Sequence, residues 1–323
     1  MRPFGRTRPT EKLPMGRYVL KRTLLMIPVA VGATFLIFAV VFALPGDPIT
    51  ALAGGQHVIA PSVVDALRER YHLNDPLPLQ YVKYVGGLLH GDLGEDFNGR
   101  AVSSIIAQAW PTTAKLALTA FVIEVAVGIP LGIWAGLRRG RMVDAGVLAG
   151  TTLVFAVPIF VIGYTFQILF GINLGWFPVA GVSDGWPVSY LLPALVLGLF
   201  GLATTARLTR TSLVETLSAG YVRTALAKGL PRRRIIVRHA LRNSLIPVVT
   251  YLGIEFGGLL GGAVLIEGIF NIPGMGFEIF NAIKQQNGPA VVGISTLLVL
   301  IFLVVNLLVD LLYGLLDPRI RHV

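Results

Sequence analysis

The sequence predicts an all-α polytopic membrane protein with six transmembrane helices, and three observations predict it. Of 323 residues 54% are hydrophobic and only 14% charged, and the mean hydropathy is +0.73; soluble domains carry about 25% charged residues. Stretches of the ~20 apolar residues that a helix needs to cross a ~30 Å hydrocarbon core recur along the chain. The basic residues are also segregated, so that loops rich and poor in them alternate.

Residues 1–23 form a basic segment containing Arg2, Arg6, Arg8, Lys12, Arg17, Lys21 and Arg22. The first apolar run, residues 24–44, contains no charged residue. It is longer than the apolar region of a secretory signal, and it ends in Leu44-Pro45-Gly46-Asp47-Pro48 without a small-x-small cleavage site, so it reads as an uncleaved span. Residues 45–108 form a polar segment on the outer side, too long for a turn. Pro61-Ser62 ahead of Val63, Val64 and Leu67 starts one short helix, and Tyr81, Tyr84, Val85 and Leu88 mark a second that stops at Gly91. This segment either caps the outer mouth of a pore or receives an external partner. His90 and Asp92 flank Gly91, but without further ligands beside them they make no metal site.

Residues 109–316 hold five more apolar runs. They cover about Leu116–Leu137, interrupted by Glu124; Ala145–Phe170; Tyr190–Ala206, with Pro193 near its start and Arg207 and Arg210 just beyond it; Leu245–Ile266, with Glu255 inside; and Val291–Leu316, with Asn306 and Asp310. Residues 317–323 close the chain. With six spans, all 27 Lys and Arg except Arg68, Arg70, Lys83, Arg100, Lys115 and Lys284 fall on the side of the two termini. Positive loops stay in the cytoplasm during insertion, so both termini and the loop at 207–244 are expected there. Topogenesis thus explains the net charge of +10 without a nucleic-acid partner.

Trp176, Phe177 and Trp186 sit in a loop without Lys or Arg, where aromatic side chains anchor an interface or touch a substrate. Between the last two runs, Glu267-Gly268-Ile269-Phe270-Asn271-Ile272-Pro273-Gly274-Met275-Gly276 is too rich in Gly and Pro to span. It reads either as a tight surface loop or as an outer gate, with Glu267, Phe270, Pro273 and Gly274 as its residues. Glu124, Glu255 and Asp310 cost a few kcal/mol each if they face lipid, so they are expected to face the interior. Glu255 lies among Gly253, Gly257, Gly258, Gly261 and Gly262, which permit either close helix packing or a roomy path. Asp310 is expected to act structurally at the cytoplasmic interface.

The loop at 207–244 contains a helix–Gly–Leu–Pro–helix elbow, Gly220–Asn243. Gly229 is the residue type that ends a helix in the left-handed conformation, and Pro231 cannot extend the first helix but suits the start of a second. Val222, Ala225, Leu226 and Gly229 fall on one low-relief face, and Arg234, Arg238 and Arg242 at i, i+4, i+8 form a basic stripe. Such an elbow either docks into a groove on another protein or rests on the inner leaflet.

These residues resemble the EAA loop of type I ABC importer permeases, which reads Glu-Ala-Ala, three residues, Gly. Aligned on Gly229, the Glu falls on Arg223 and the two alanines on Thr224 and Ala225, and the downstream Pro falls near Arg242. The variant Tyr221-Val222-Arg223-Thr224-Ala225, followed by Lys228-Gly229-Leu230, resembles the dipeptide/oligopeptide/nickel permease subfamily. So do Leu44–Pro48, Gly91-Asp92-Leu93-Gly94, Ala206-Arg207-Leu208-Thr209-Arg210, Glu267–Phe270 with Pro273–Gly276, and the terminal Leu316-Asp317-Pro318-Arg319-Ile320-Arg321. The long outer segment after the first span is similar to that of the B-type permease of such systems.

The resemblance implies a type I ABC importer permease fold in the bacterial plasma (inner) membrane. It implies a second homologous permease, two cytoplasmic ABC ATPases holding ATP and Mg, and an external substrate-binding protein that delivers peptide, nickel chelate or haem. Tyr221, Arg223, Thr224, Ala225, Lys228, Gly229 and Leu230 would couple to the ATPase, and this chain would need no cofactor of its own. The sequence itself has no G-x-x-x-x-G-K-[ST], so ATP hydrolysis is expected elsewhere. It has no cysteine and only scattered histidines, which argues against a membrane enzyme. An ion-coupled secondary transporter using Glu124 and Glu255 is the remaining alternative, and the inverted repeats typical of such transporters are not apparent in the sequence.

Overall fold

A computed structural model describes residues 15–43 and 61–316, and among these there is no strand, only one isolated β-bridge between Glu95 and Ala101. The Leu44–Pro48 motif, the basic residues before Met15 and the terminal Asp317–Arg321 motif lie outside the described residues. The side chain of Asp310 does so too.

Helix α1 (Met15–Ala43) is exposed over most of its surface and turns Thr34 and Phe38 inward. Helix α2 (Pro61–Arg70) precedes α3 (Leu77–Leu89), which these two residues meet: Thr34 Oγ1 lies 2.8 Å from Tyr81 Oη, and Phe38 packs edge-on against Tyr81. A cleft of about 520 Å³ opens between α1, α3 and the following loop, lined by Phe38, Phe42, Tyr84, Arg70 and Lys83. The loop is knotted around Asp96, whose carboxylate accepts the backbone N–H groups of Asn98 (2.9 Å) and Arg100 (2.8 Å). Tyr71 Oη donates to Asp96 O at 2.7 Å, and burial is the main cause that raises its pKa above the ordinary phenol value.

Helix α4 (Val102–Leu137) is 36 residues long and starts well before the apolar edge at Leu116, passing through Pro111. One π turn, Glu124–Gly128, interrupts it. The run from Ala145 to Phe170 is not the continuous helix its hydropathy suggests. It is a pair, α5 (Met142–Ala156) and α6 (Ile159–Asn173), bent by 103°. The cause is Pro158. A proline disfavours the helical conformation of the residue before it, and Val157 is extended, with φ −111° and ψ 128°.

Helix α7 (Val188–Ser218) accommodates Pro193 near its start and continues for 31 residues, through Arg207 and Arg210. These two arginines are therefore helical, not part of a loop. They are held by α5: Arg207 Nε donates to Thr151 Oγ1 at 2.7 Å, and Arg210 forks onto both Asp144 oxygens at 2.9 and 2.8 Å. After the elbow come α8 (Gly220–Ala227), α9 (Arg232–Ile269), α10 (Met275–Lys284) and α11 (Gly288–Leu316). Helices α1, α4, α7, α9 and α11 are long and apolar enough to cross a membrane, and the α5–α6 pair makes a sixth span if counted as one.

The core is organised on α7, which packs against α4, α5, α6 and α9. Its contact with α4 is a stack of small residues. A Cβ on Gly128 would press on Thr205, one on Gly132 would come within 2.5 Å of Ala206 O and Thr209 Cβ, and one on Gly136 would press on Leu213. Further up, Gly198 faces Ala120 O and Gly201 faces Glu124. Where lipid is as apolar as a side chain, such close backbone approach is what gives helices contact energy.

Candidate functional site

The elbow is built from three local breaks. Ala219, extended at φ −68° and ψ 149°, separates α7 from α8 by a single residue. Gly229 ends α8 at φ +71°. Its N–H bonds to Leu226 O at 2.9 Å and that of Leu230 bonds to Ala225 O at 3.2 Å, the two bonds of a Schellman motif. Pro231 is extended (φ −66°, ψ 139°), and its carbonyl accepts the N–H groups of Arg234 and Ile235, which starts α9.

One side of α8 is anchored. Val222 is only 2% exposed, and Tyr221 Oη accepts from Asn243 Nδ2 at 3.0 Å and donates to His239 O at 3.4 Å. The apolar face expected from spacing is thus divided: Val222 is spent inside and Leu226 remains outside. Tyr221, Arg223, Thr224, Lys228 and Gly229 are exposed, with Ala225 and Leu230 half-buried. The regular basic stripe is altered as well. Arg234, Arg238 and Arg242 are all exposed, but the π turn Ile235–Ala240 inserts extra residues and shifts them off α-helical spacing. Among the described residues none of Arg223, Lys228, Arg232, Arg233, Arg234, Arg238 or Arg242 has an ion-pair partner.

Glu267, Phe270, Pro273 and Gly274 belong to a packed turn between α9 and α10. Glu267 is 0% exposed, and its carboxyl accepts from Thr113 Oγ1 (2.6 Å) and from the N–H groups of Gly276 (2.7 Å) and Phe277 (3.2 Å). It therefore caps the start of α10 by accepting N–H groups that have no partner within the helix. Gly274 is required because a Cβ there would collide with that carboxyl. Phe270 is 1% exposed, its carbonyl accepts Gly181 N–H at 2.8 Å, and Pro273 alone of the four is exposed. Asn271, at φ +51°, lets Ile272 N–H reach Glu267 O. The turn thus joins α4, the loop between α6 and α7, and α10.

The structure also brings together two glutamates that lie far apart in sequence. Glu124, 0% exposed, accepts from Thr205 Oγ1 at 2.7 Å through Oε1; Glu255, half-buried on α9, accepts from Tyr251 Oη at 2.9 Å through Oε2. The other two oxygens converge beside Gly201, where a Cβ would lie 2.5 Å from Glu124 Oε2 and 2.9 Å from Glu255 Oε1. The glycines around Glu255 serve different neighbours: Gly257 abuts Phe302 and Asn306, Gly262 abuts Leu197, Gly258 meets Glu255 Oε2 at 4.0 Å, and Gly261 is open. Trp176 and Trp186 are exposed and Phe177 packs on the core. His90 and Asp92 bond to the backbone of Gly86 and Gly94, and no metal-ligating cluster occurs among the described residues. The pairing of Glu124 with Glu255, and the role of Gly201, carried no signal in sequence because α4, α7 and α9 meet only in the fold.

The family model described as "Binding-protein-dependent transport system inner membrane component" matches residues 128–322, and the model of the corresponding N-terminal region matches residues 15–117. The chain is similar to the dipeptide transport system permease protein DppB of Escherichia coli (strain K12), at 37% identity over 338 residues, covering 95% of this chain and 99% of that protein. It is similar to the di/tripeptide transport system permease protein DppB of Pseudomonas aeruginosa (strain UCBPP-PA14), at 39% identity over 332 residues, covering 94% and 98%.

Proposed function

Because the chain belongs to the family of inner membrane components of binding-protein-dependent transport systems, we propose that it is a permease subunit of an ATP-driven importer of di- and oligopeptides. It is a multi-pass protein of the bacterial inner membrane. The peptide substrate is supported by two full-length relatives that carry that substrate class in their names.

The observation that carries the mechanism is the elbow. Helix α8 and the turn that ends it leave Tyr221, Arg223, Thr224, Lys228 and Gly229 exposed and Ala225 and Leu230 half-buried, and one residue joins α8 to the helix at the centre of the core. In this reading a cytoplasmic ATPase holds α8, and ATP and Mg sit in that ATPase. Its closure pushes α7 against α4 and α9, shifting the population between inward- and outward-open states. A second, homologous permease completes the path, and an external binding protein delivers the peptide to the outer side. The arginines at the start of α9, without an ion-pair partner among the described residues, suit an acidic rim on the ATPase or the inner leaflet. Nickel chelates and haem remain alternative cargoes of the same machine. The facing carboxylates of Glu124 and Glu255 are what an ion-coupled transporter would use, but that mechanism gives the elbow no role.

Purification from membranes through a tag on this chain tests the reading. A stoichiometric ATPase subunit and a second permease in the eluate support it, and their absence under mild detergent contradicts it.

A further inference from the structure

Helix α9 has one side without a helix against it among the described residues, carrying Ile254, Gly258, Gly261 and Leu265, all exposed. Glu255 is half-buried at the edge of this side, near mid-span. A carboxylate at that depth is not stable against lipid. This side of α9 therefore faces either another subunit or the aqueous path.

Behind Glu255 lies a second carboxylate that is incompletely bonded. Glu124 is fully enclosed and Thr205 satisfies Oε1, but Oε2 has no hydrogen-bond partner among the described residues. A buried carboxylate oxygen left without a partner is expensive. It is aimed at Gly201 and Glu255 Oε1. No Lys or Arg among the described residues pairs with either glutamate. The site thus presents two convergent acceptors, one enclosed and one half-buried, packed against Gly201, with no Lys or Arg beside them among the described residues. The π turn that begins at Glu124 supports the same conclusion, because such turns persist where a side chain must be placed for function.

We propose that Glu124 and Glu255 form an ammonium subsite, which takes the amino-terminal –NH3+ of a peptide as it passes this depth. The peptide as ligand rests on the function proposed above; the cation chemistry rests on the two carboxylates alone. An ammonium group suits the place because its three donors match Glu124 Oε2, Glu255 Oε1 and the path's water, and its charge offsets two facing carboxylates. Tyr251 and Thr205 fix the orientation of the carboxylates without competing for the convergent oxygens.

The test uses the complete transporter in proteoliposomes with dialanine as cargo. Glu255→Gln and Glu124→Gln are each expected to lower dialanine uptake ~tenfold, the loss of one charged contact, and Gly201→Ala, whose methyl would press on both carboxylates, is expected to lower it as well, while ATP hydrolysis continues and more ATP is spent per peptide. Glu255→Asp should recover part of the uptake. Wild-type uptake in all three variants overturns the proposal. Where a variant fails to assemble, the wild-type complex answers instead through carbodiimide modification of Glu255, read by mass spectrometry as the sum of its N-acylurea and propylamide products, since a primary amine traps the activated carboxyl as an amide. Propylammonium chloride should protect Glu255 and propanol should not, and equal labelling in both overturns the proposal. A wild-type complex that imports no dialanine but is protected by propylammonium defeats the peptide reading and leaves the ammonium subsite standing.

Discussion

Glu267 on α9 and Thr113 on α4, 154 positions apart in sequence, share a 2.6 Å hydrogen bond, and the same hydroxyl accepts Met275 N–H at 2.8 Å. One threonine therefore ties three helices, α4, α9 and α10, at one end of the bundle. Replacing it with valine keeps the volume but removes both bonds in a buried place. Each buried group left unsatisfied costs about 1–3 kcal/mol. Thr113→Val should lower the melting temperature of the purified complex clearly, whereas Thr113→Ser should keep it near wild type. Differential scanning fluorimetry on the detergent-solubilised complex reads the difference, and equal melting of both variants would show that the knot contributes nothing.

The stack between α4 and α7 makes a sharper steric prediction. At Gly132 an added methyl meets Ala206 O and Thr209 Cβ at 2.5 Å, with backbone on one side that cannot yield. Gly146 on α5 has nothing within 4 Å. Alanine is the better helix former by about 1 kcal/mol, so Gly146→Ala should be neutral or stabilising, and Gly132→Ala should sharply reduce the yield of folded protein. Size-exclusion profiles of the two variants at equal expression provide the comparison.

Asp144 and Arg210 hold the bent α5–α6 pair to α7 through a bidentate contact, and Asp144 also accepts Gly140 N–H at 2.9 Å. Removing one partner of a shielded pair leaves the other charge uncompensated, which costs about 3 kcal/mol. Asp144→Ala should therefore destabilise more than the double variant Asp144→Ala/Arg210→Ala does. A double-mutant cycle on melting temperature measures the coupling, and strictly additive losses would show that the contact is only geometric.

Gly229 is required for its conformation and not for space, since nothing lies within 4 Å of an added Cβ while φ is +71°. A β-branched residue there is strained by about 1–3 kcal/mol, and asparagine tolerates the same region. Gly229→Val should leave the complex folded but hydrolysing ATP without proportionate uptake, and Gly229→Asn should remain coupled. The ratio of ATP hydrolysed to peptide imported distinguishes them; an unchanged ratio in Gly229→Val would remove α8 from the coupling mechanism.

The elbow was legible in sequence because Gly229 and Pro231 act locally, each through its own backbone. The long apolar helices were legible for a similar reason, since crossing a bilayer is a demand on composition. The break at Val157-Pro158 was not, because Pro158 lies in an apolar run that contains no charged residue from Ala145 to Phe170. The extension of α7 through Arg207 and Arg210 was missed because polar residues there are helical only by virtue of Thr151 and Asp144 on another helix. Glu267 was read from the Gly and Pro around it as a gate or a loop, while its role in this state follows from Thr113, which no local pattern connects to it. Glu124 and Glu255 were each singled out as interior carboxylates, but that they face each other depends on Gly201 between them.

The most direct test of the central claim is energisation of uptake. The purified complex, with its external binding protein enclosed on one side, is reconstituted into proteoliposomes, and radiolabelled dialanine is followed with ATP or with an imposed proton or sodium gradient. Uptake that needs ATP on the side of α8, and that a gradient alone does not drive, is the expected result. Uptake driven by a gradient without ATP would contradict it and assign the chain to ion-coupled transport.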